Sequence, residues 1–278
     1  MSKSPFVSII FVYYNTPNEL IDSVNSVNQA VGDYSYEIII VDNHSSAKVP
    51  KNALKTPASL LIKNETNVGY GAALNQGAKI AKGKYLLLSN PDIVFQKNAI
   101  SLMVDKLEKD SITGIIGPQF LNSNKKIQKV GSDIPLLFES VFSFSILNKL
   151  FQNNKYSRKY FIADFDRKKE KEIPAIAGAC MLIRKDIFNK VKGFDERFFM
   201  YFEEADICYK ILKAGFKVLY YPSAKVIHLV GRSSDDKKWI EKTFEHSRYE
   251  FLKKYHGALL GTLGEGVIRL LNFPAKLL

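Results

Sequence analysis

The 278-residue chain is poor in cysteine, histidine and tryptophan, with two, four and one respectively. Cys180 and Cys208 each lie inside an apolar run, which excludes a disulfide framework and a cysteine zinc site and fits a reducing compartment. No stretch reaches the ~18 uninterrupted apolar residues of a spanning helix. The nearest, 134–150, is interrupted by Glu139, Asn148 and several serines. A basic-then-apolar leader is missing before the first strand-like segment, so a cytoplasmic protein without a cleaved signal is expected. No internal repeat or low-complexity segment is present. Arginines and aromatics do not interleave as they do where bases are read, so nucleic acid is not an expected partner.

Charge of one sign is in excess. Forty Lys and Arg against 28 Asp and Glu give a formal net charge of +12. Local concentrations fall at 167–171, 237–242 and 253–254. Most of this is ordinary solvated surface. The more specific readings are a polyphosphate ligand and an anionic membrane face.

The first half alternates strand and helix. A continuous apolar run over 6–13 reads as a strand buried on both faces, and 36–41, 59–62 and 84–88 read as further strands, separated by helical segments over 18–31 and 70–81. Short links between them imply parallel strands with helical crossovers. Further on, the pattern predicts a helix over 98–109 and strands over 114–120, 126–130 and 173–183. It then predicts a helix over 203–214 and short strands over 217–221 and 225–229. Residues 132–172 are poorly patterned and read as a long excursion over the site. The tail from 237 is helical, and its end, 259–278, mixes apolar residues with Arg269 and Lys276.

Ligands in such sheets bind beyond the carboxyl ends of the strands. Tyr14-Asn15-Thr16, Asp42-Asn43 and Asn90-Pro91-Asp92 all follow strands. A carboxylate such as Asp92 can hold a hard divalent cation, although Asn-Pro-Asp is also a common turn. Asp42 could bond a nucleobase edge or ribose, or simply end its strand. The small-residue run Asn67-Val68-Gly69-Tyr70-Gly71 opens a helix, where close backbone approach and anion binding are both readable. It is not a G-x-G-x-x-G. An aromatic-rich loop, 193–202, delivers Glu203, Glu204 and Asp206 to a helix start. Acidic residues suit a first turn, yet three so crowded among aromatics suggest raised pKa values and a general base. His228 ends another strand and precedes Gly231-Arg232-Ser233. It is a structural residue or a metal ligand.

Taken in order, these segments, with Gly178-Ala179-Cys180 to Arg184, resemble glycosyltransferase family 2 over about residues 5–255. The resemblance is strongest to its bacterial rhamnosyltransferase-like branch. It implies an α/β GT-A nucleotide-sugar-binding fold with a mostly parallel central sheet. The implied layout is a catalytic domain over 1–235, with a donor half over about 1–120 and an acceptor half over about 121–235, then a helical extension over 236–278. It also implies roles. Tyr14, Asn15, Asp42, Asn67, Gly69, Asn90 and Asp92 would face the nucleotide-sugar donor. Asp92 and His228 would hold Mg²⁺ or Mn²⁺. Glu204 would be the base of an inverting transfer, with Glu203 in reserve and Asp206 beside it. Gly178, Ala179, Phe199 and Tyr201 would meet a saccharide or lipid-linked acceptor. Two departures stand out. Asn90 replaces the first Asp of the usual Asp-x-Asp, and Glu204 replaces an Asp, which moves the carboxylate out by one methylene.

Polysaccharide synthesis is the implied setting. A homodimer and peripheral contact of the basic, apolar tail with anionic lipid on the inner membrane face are further expectations. A catalytically inactive nucleotide-sugar-binding protein is the rival reading. A nucleotidyltransferase is disfavoured, because 12–18 lacks a glycine-rich basic phosphate loop.

Overall fold

The computed structural model describes residues 4–54, 59–229 and 236–273. The chain opens with β1 (Val7–Tyr13), α1 (Pro17–Val31), β2 (Tyr36–Asp42) and β3 (Ser59–Lys63). Then come α2 (Tyr70–Ile80), β4 (Tyr85–Ser89), β5 (Ile93–Phe95), α3 (Ala99–Lys109) and β6 (Thr113–Leu121). Three short helices follow, α4 (Leu137–Ser143), α5 (Leu147–Leu150) and α6 (Lys155–Tyr160). Last are β7 (Lys171–Glu172), β8 (Cys180–Arg184), α7 (Lys185–Lys190), α8 (Glu203–Lys213), β9 (Lys217–His228) and α9 (Lys237–Asn272).

One sheet runs through both halves in the order β3-β2-β1-β4-β8-β6-β9-β5, with β7 against β9. Its longest ladders, β1–β2 and β6–β9, are parallel, and β8 enters antiparallel between β4 and β6. Period-two alternation sends Ile10, Val12, Ile39, Val41, Leu86 and Leu88 to one face, and Ile9, Phe11, Ile38, Ile40 and Leu87 to the other. Leu74 and Ala78 of α2 and Ile207 and Ile211 of α8 cover the first face. Leu20, Val24 and Val27 of α1 and Met103, Val104 and Leu107 of α3 cover the second. The uninterrupted apolar runs are therefore what a sheet covered on both sides requires.

The element boundaries differ from expectation at four places. Residues 126–130 make only a single bridge, Ile127 to Leu121. The segment 173–183 is a strand only from Cys180, since Pro174 supplies no amide hydrogen and Gly178-Ala179 turn the chain. The two short strands over 217–229 are one strand whose register slips at Pro118/Gln119, so that 222–224 bulge out and absorb Pro222. Three-residue β5, pairing Ile93 with His228, was not legible. The excursion contains α4–α6 and is pinned by Arg167. This fully buried guanidinium donates to the carbonyls of Phe161 and Ile162 (both 3.0 Å) and also of Phe165.

Helix α9 breaks at Gly257 (φ 80°, ψ 165°), and its two arms fold back antiparallel. Arg248 clamps Glu265 through two 2.8 Å bonds, and Tyr249 meets Thr262 at 3.3 Å. Among the described residues no helix is long and apolar enough to cross a membrane.

Candidate active site

Parallel pairing puts the carboxyl ends of β1, β2 and β4 on one edge, and the polar clusters that follow them sit there together. Asn15 is in the left-handed region (φ 55°). Its side-chain oxygen accepts from Ser46 Oγ (2.9 Å) and Ala47 N (3.1 Å). The buried Asp42 accepts from Ser45 N at 2.9 Å, so Asn15 and Asp42 shape one loop from both sides. Tyr14 beside them is half-buried.

Asn43 is the hub that sequence reading missed. Its amide donates to Asn67 Oδ1 (2.8 Å) and Gly69 O (3.2 Å), and its oxygen accepts from Asn64 Nδ2 and Val68 N, both at 3.0 Å. Asn67 also accepts from Gly69 N (3.0 Å). The predicted donor residues Asn67 and Gly69 are thereby fixed to the end of β2. Gly69 has φ +89°, and a Cβ there would fall 2.5 Å from the Phe199 carbonyl oxygen, which also accepts from Tyr70 N at 2.8 Å. Gly69→Ala is therefore expected to cost about 1–3 kcal/mol, read as a lower midpoint in thermal unfolding.

Asp92 follows β4 and is buried. Its Oδ2 lies 3.4 Å from His228 Nε2, brought there by the pairing of Ile93 with His228. Gln128 sets the imidazole. Its amide donates to His228 O (3.4 Å), leaving Oε1 to accept from Nδ1 at 3.2 Å. In the neutral ring that tautomer keeps a lone pair on Nε2, aimed at Asp92. Two ligand atoms so spaced fit adjacent corners of an octahedral shell, ~3 Å apart for bonds of about 2.1 Å. Among the described residues no three His, Cys, Asp or Glu gather as a metal cage. A cation here would complete its shell with water and donor phosphate oxygens, as Mg²⁺ commonly does. Gln128→Leu is expected to weaken divalent-ion binding about 10–100-fold, by calorimetry in the presence of a nucleoside diphosphate. The predicted Gly231-Arg232-Ser233 segment lies outside the described residues.

The loop before α8 is held in an unfavourable backbone. Tyr201 (φ 69°) and Phe202 (φ 67°) are both left-handed, at about 1–3 kcal/mol each. Aromatic packing holds them there: Phe202 meets Phe144, Phe244 and Phe251, and Tyr201 meets Phe244. Phe199 packs on Trp239. These contacts deliver Glu203 and Glu204 side by side. Glu203 is buried and Glu204 less so over the whole residue, and each has an Oε2 that is itself buried and has no hydrogen-bond partner. Burial, then the neighbouring Glu204, raises Glu203 well above the ordinary carboxylate range. Burial also raises Glu204, against backbone amides at Glu204 and Phe202 that hold it down.

The carboxyl of such a pair that is raised further keeps its proton, here Glu203, which leaves Glu204 to ionise first. The sign of the linkage can be tested. A carboxyl whose pKa is raised by folding contributes stability below its unfolded pKa, and that stability is lost as pH rises through the folded value. Glu203→Gln is thus expected to raise the thermal midpoint at alkaline pH. The gain should vanish towards the ordinary carboxylate value, about 4.3. Asp206, grouped with these glutamates by sequence, is committed elsewhere. It is fully buried, accepts from Tyr255 Oη at 2.6 Å and pairs with Lys254, which also reaches Asp195 at 2.7 Å.

The Gly178-Ala179 turn joins the two groups. Ala179 O accepts from Asn90 N at 2.9 Å, and a Cβ on Gly178 would lie 3.1 Å from Glu204 Cβ. The bare glycine makes room for the base of the Glu204 side chain. Tyr70, which sequence reading passed over, donates to Gly178 O at 3.0 Å. Burial first, then the charges of Glu203, Asp92 and Glu204, raise its pKa, so its hydroxyl stays protonated within electrostatic reach of both groups. Its only sequence signal was its place straight after Gly69.

The profile of glycosyl transferase family 2 matches residues 8–192, well over half of the chain. The chain belongs to glycosyl transferase family 2. Among curated members it is 26% identical over 232 residues to the N-acetylglucosaminyl-diphospho-decaprenol L-rhamnosyltransferase of Mycobacterium tuberculosis, covering 79% of this chain and 75% of that protein. It is 26% identical over 226 residues to rhamnosyltransferase WbbL of Escherichia coli, covering 78% and 81%. In fold it is similar to the mannosyltransferase PcManGT of Pyrobaculum calidifontis, solved with GDP-Man and Mn²⁺. The TM-score is 0.61 at 14% identity, over 99% of this chain and 76% of that one. GalNAc-T7, solved with UDP, GalNAc and Mn²⁺, gives 0.59 at 19% identity, over 82% and 44%. This family 2 chain therefore has the expected GT-A fold, with a rhamnosyltransferase-like sequence.

Proposed function

We propose that this glycosyltransferase transfers a sugar, with inversion, from a nucleotide-sugar donor to an acceptor hydroxyl in bacterial surface polysaccharide synthesis. The carrying observation is the raised acid pair Glu203–Glu204, linked through the Gly178-Ala179 turn to the strand end that bears the Asp92–His228 pair. The loop of Asn15 and Asp42 would take the nucleoside, over the donor half at about 1–120. Asp92 and His228 would hold Mg²⁺ or Mn²⁺, whose charge would neutralise the donor diphosphate. Asn90 in place of an acid leaves one fewer negative charge there, consistent with a pair that relies on donor phosphates.

In the acceptor half, Gly178, Ala179, Phe199 and Tyr201 would frame the entry to Glu204. The Glu204 carboxylate takes the acceptor hydroxyl proton as that oxygen attacks the anomeric carbon, while the bond to the nucleoside diphosphate breaks and that group leaves from the opposite face. Neutral Glu203 adds no second negative charge beside it, and Asp206 anchors α8 to α9 instead of touching substrate. Likeness to the two rhamnosyltransferases suggests dTDP-rhamnose as donor and a lipid-linked diphosphosaccharide as acceptor. Such an acceptor would place the protein on the cytoplasmic face of a membrane.

The test is transfer from dTDP-rhamnose to N-acetylglucosaminyl-diphospho-polyprenol with Mn²⁺, the product being read by NMR. An anomeric configuration inverted from the donor supports the reading. A retained configuration would overturn the single displacement, and a different preferred donor would overturn rhamnose alone.

A further inference from the structure

The second arm of α9 turns an apolar face to solvent. Gly261, Gly264, Glu265 and Ile268 face inward, while Leu259 (74% exposed), Leu263 (56%), Val267 and Leu270 (74%) form an outward stripe at helical spacing. The arm lies along the excursion: Gly264 packs on Leu137, and Asn272 bonds Phe144 O and Ile146 N, both at 2.9 Å. That neighbouring segment exposes Phe138, Leu150 and Phe151. Large side chains exposed together on two packed elements exceed the scattered apolar surface of an ordinary monomer.

The charges around them lean to one side. Of the basic residues over 137–161, Arg158 pairs with Asp164 and Lys159 with Glu139 and Asp133, while Lys149 and Lys155 are exposed and join no ion pair among the described residues. On the second arm Arg269 pairs with the buried Glu265, so no acidic side chain there faces the rim unpaired. We propose that this face, the outer stripe of the second α9 arm with α4–α5, docks on an anionic lipid bilayer. Apolar residues would enter the interface while the basic rim meets the headgroups. A second copy is the poorer occupant, since symmetric pairing would bring two basic rims together. Phe144, which caps α4 of this face, packs directly on Phe202 at the start of the acid-bearing helix, so the docked elements touch the segment that delivers Glu203 and Glu204. The proposal deepens the reading of a lipid-borne acceptor and rests on it for its purpose.

Its test needs neither donor nor acceptor. Full-length protein is floated with phosphatidylcholine vesicles, with and without phosphatidylglycerol, beside Leu263→Glu/Leu270→Glu and, on the other element, Lys149→Glu/Lys155→Glu. All these positions are exposed, and thermal melts check folding. Expected is binding to the phosphatidylglycerol vesicles that each double variant weakens at least about tenfold, with transfer to a water-soluble acceptor unchanged. Equal binding by both variants, or no binding by the parent, overturns the proposal. So does a dimer that the leucine variant dissolves in the absence of vesicle binding. Failure of the parent to dock while its transfer is intact refutes only the membrane face. Docking without any sugar transfer refutes only the proposed reaction.

Discussion

Glu204→Gln is expected to lower kcat for sugar transfer by about 10²–10⁴-fold while nucleotide-sugar binding stays near the parent value. The amide keeps the size of the side chain and its fit over Gly178, so packing is preserved and only proton acceptance is lost. The effect should fall on kcat because the acceptor hydroxyl must lose its proton as the bond forms, whereas the donor is held by other residues. The parent enzyme adds a pH signature. Burial raises Glu204, so the acid limb of kcat lies above the ordinary carboxylate value, and activity falls as pH drops through the raised pKa. In the Gln variant that limb should vanish from the residual rate. Glu203→Gln, assayed in parallel, should retain far more activity. If the two variants exchange behaviours, the base is Glu203.

Asp92→Ala is expected to abolish divalent-ion-dependent binding of the nucleoside diphosphate, and to lower kcat/KM by about 10²-fold or more. The magnitude follows from the sparseness of the site. Asp92 and His228 form a pair with no third acidic or imidazole group gathered on them among the described residues, so in the proposed site losing the carboxylate would leave His228 as the one ligand of that pair. Calorimetry with Mn²⁺ and a nucleoside diphosphate reads this without turnover. Metal-dependent binding retained by the variant would place the cation elsewhere.

The parallel half of the fold was legible because its signals are local. Buried strands such as Val7–Tyr13 read as near-continuous apolar runs, and the polar residues that follow them mark one edge of the sheet. Glu203 and Glu204 were legible as a pair because crowding is visible in one dimension. Their partners were not. Tyr70 meets Gly178, 108 residues away, and Gln128 meets His228, 100 residues away; no local pattern encodes such distances. Asp206 was grouped with the glutamates by proximity in sequence, yet Lys254 and Tyr255 of α9 claim its carboxylate. Strand β5 is three residues long and is stabilised by β9, so periodicity has nothing to act on. The break at Gly257 sits where helical composition continues on both sides, and only the return of Glu265 to Arg248 reveals the hairpin.

Donor turnover tests the central claim most directly. The protein is incubated with Mn²⁺, a lipid-linked saccharide acceptor and a panel of nucleotide sugars, and nucleoside diphosphate release is followed with and without EDTA. The expected result is release from one donor, lost with EDTA, in Asp92→Ala and in Glu204→Gln. Metal-dependent donor binding with no release from any sugar would contradict catalysis and leave a nucleotide-sugar-binding protein of an assembly complex.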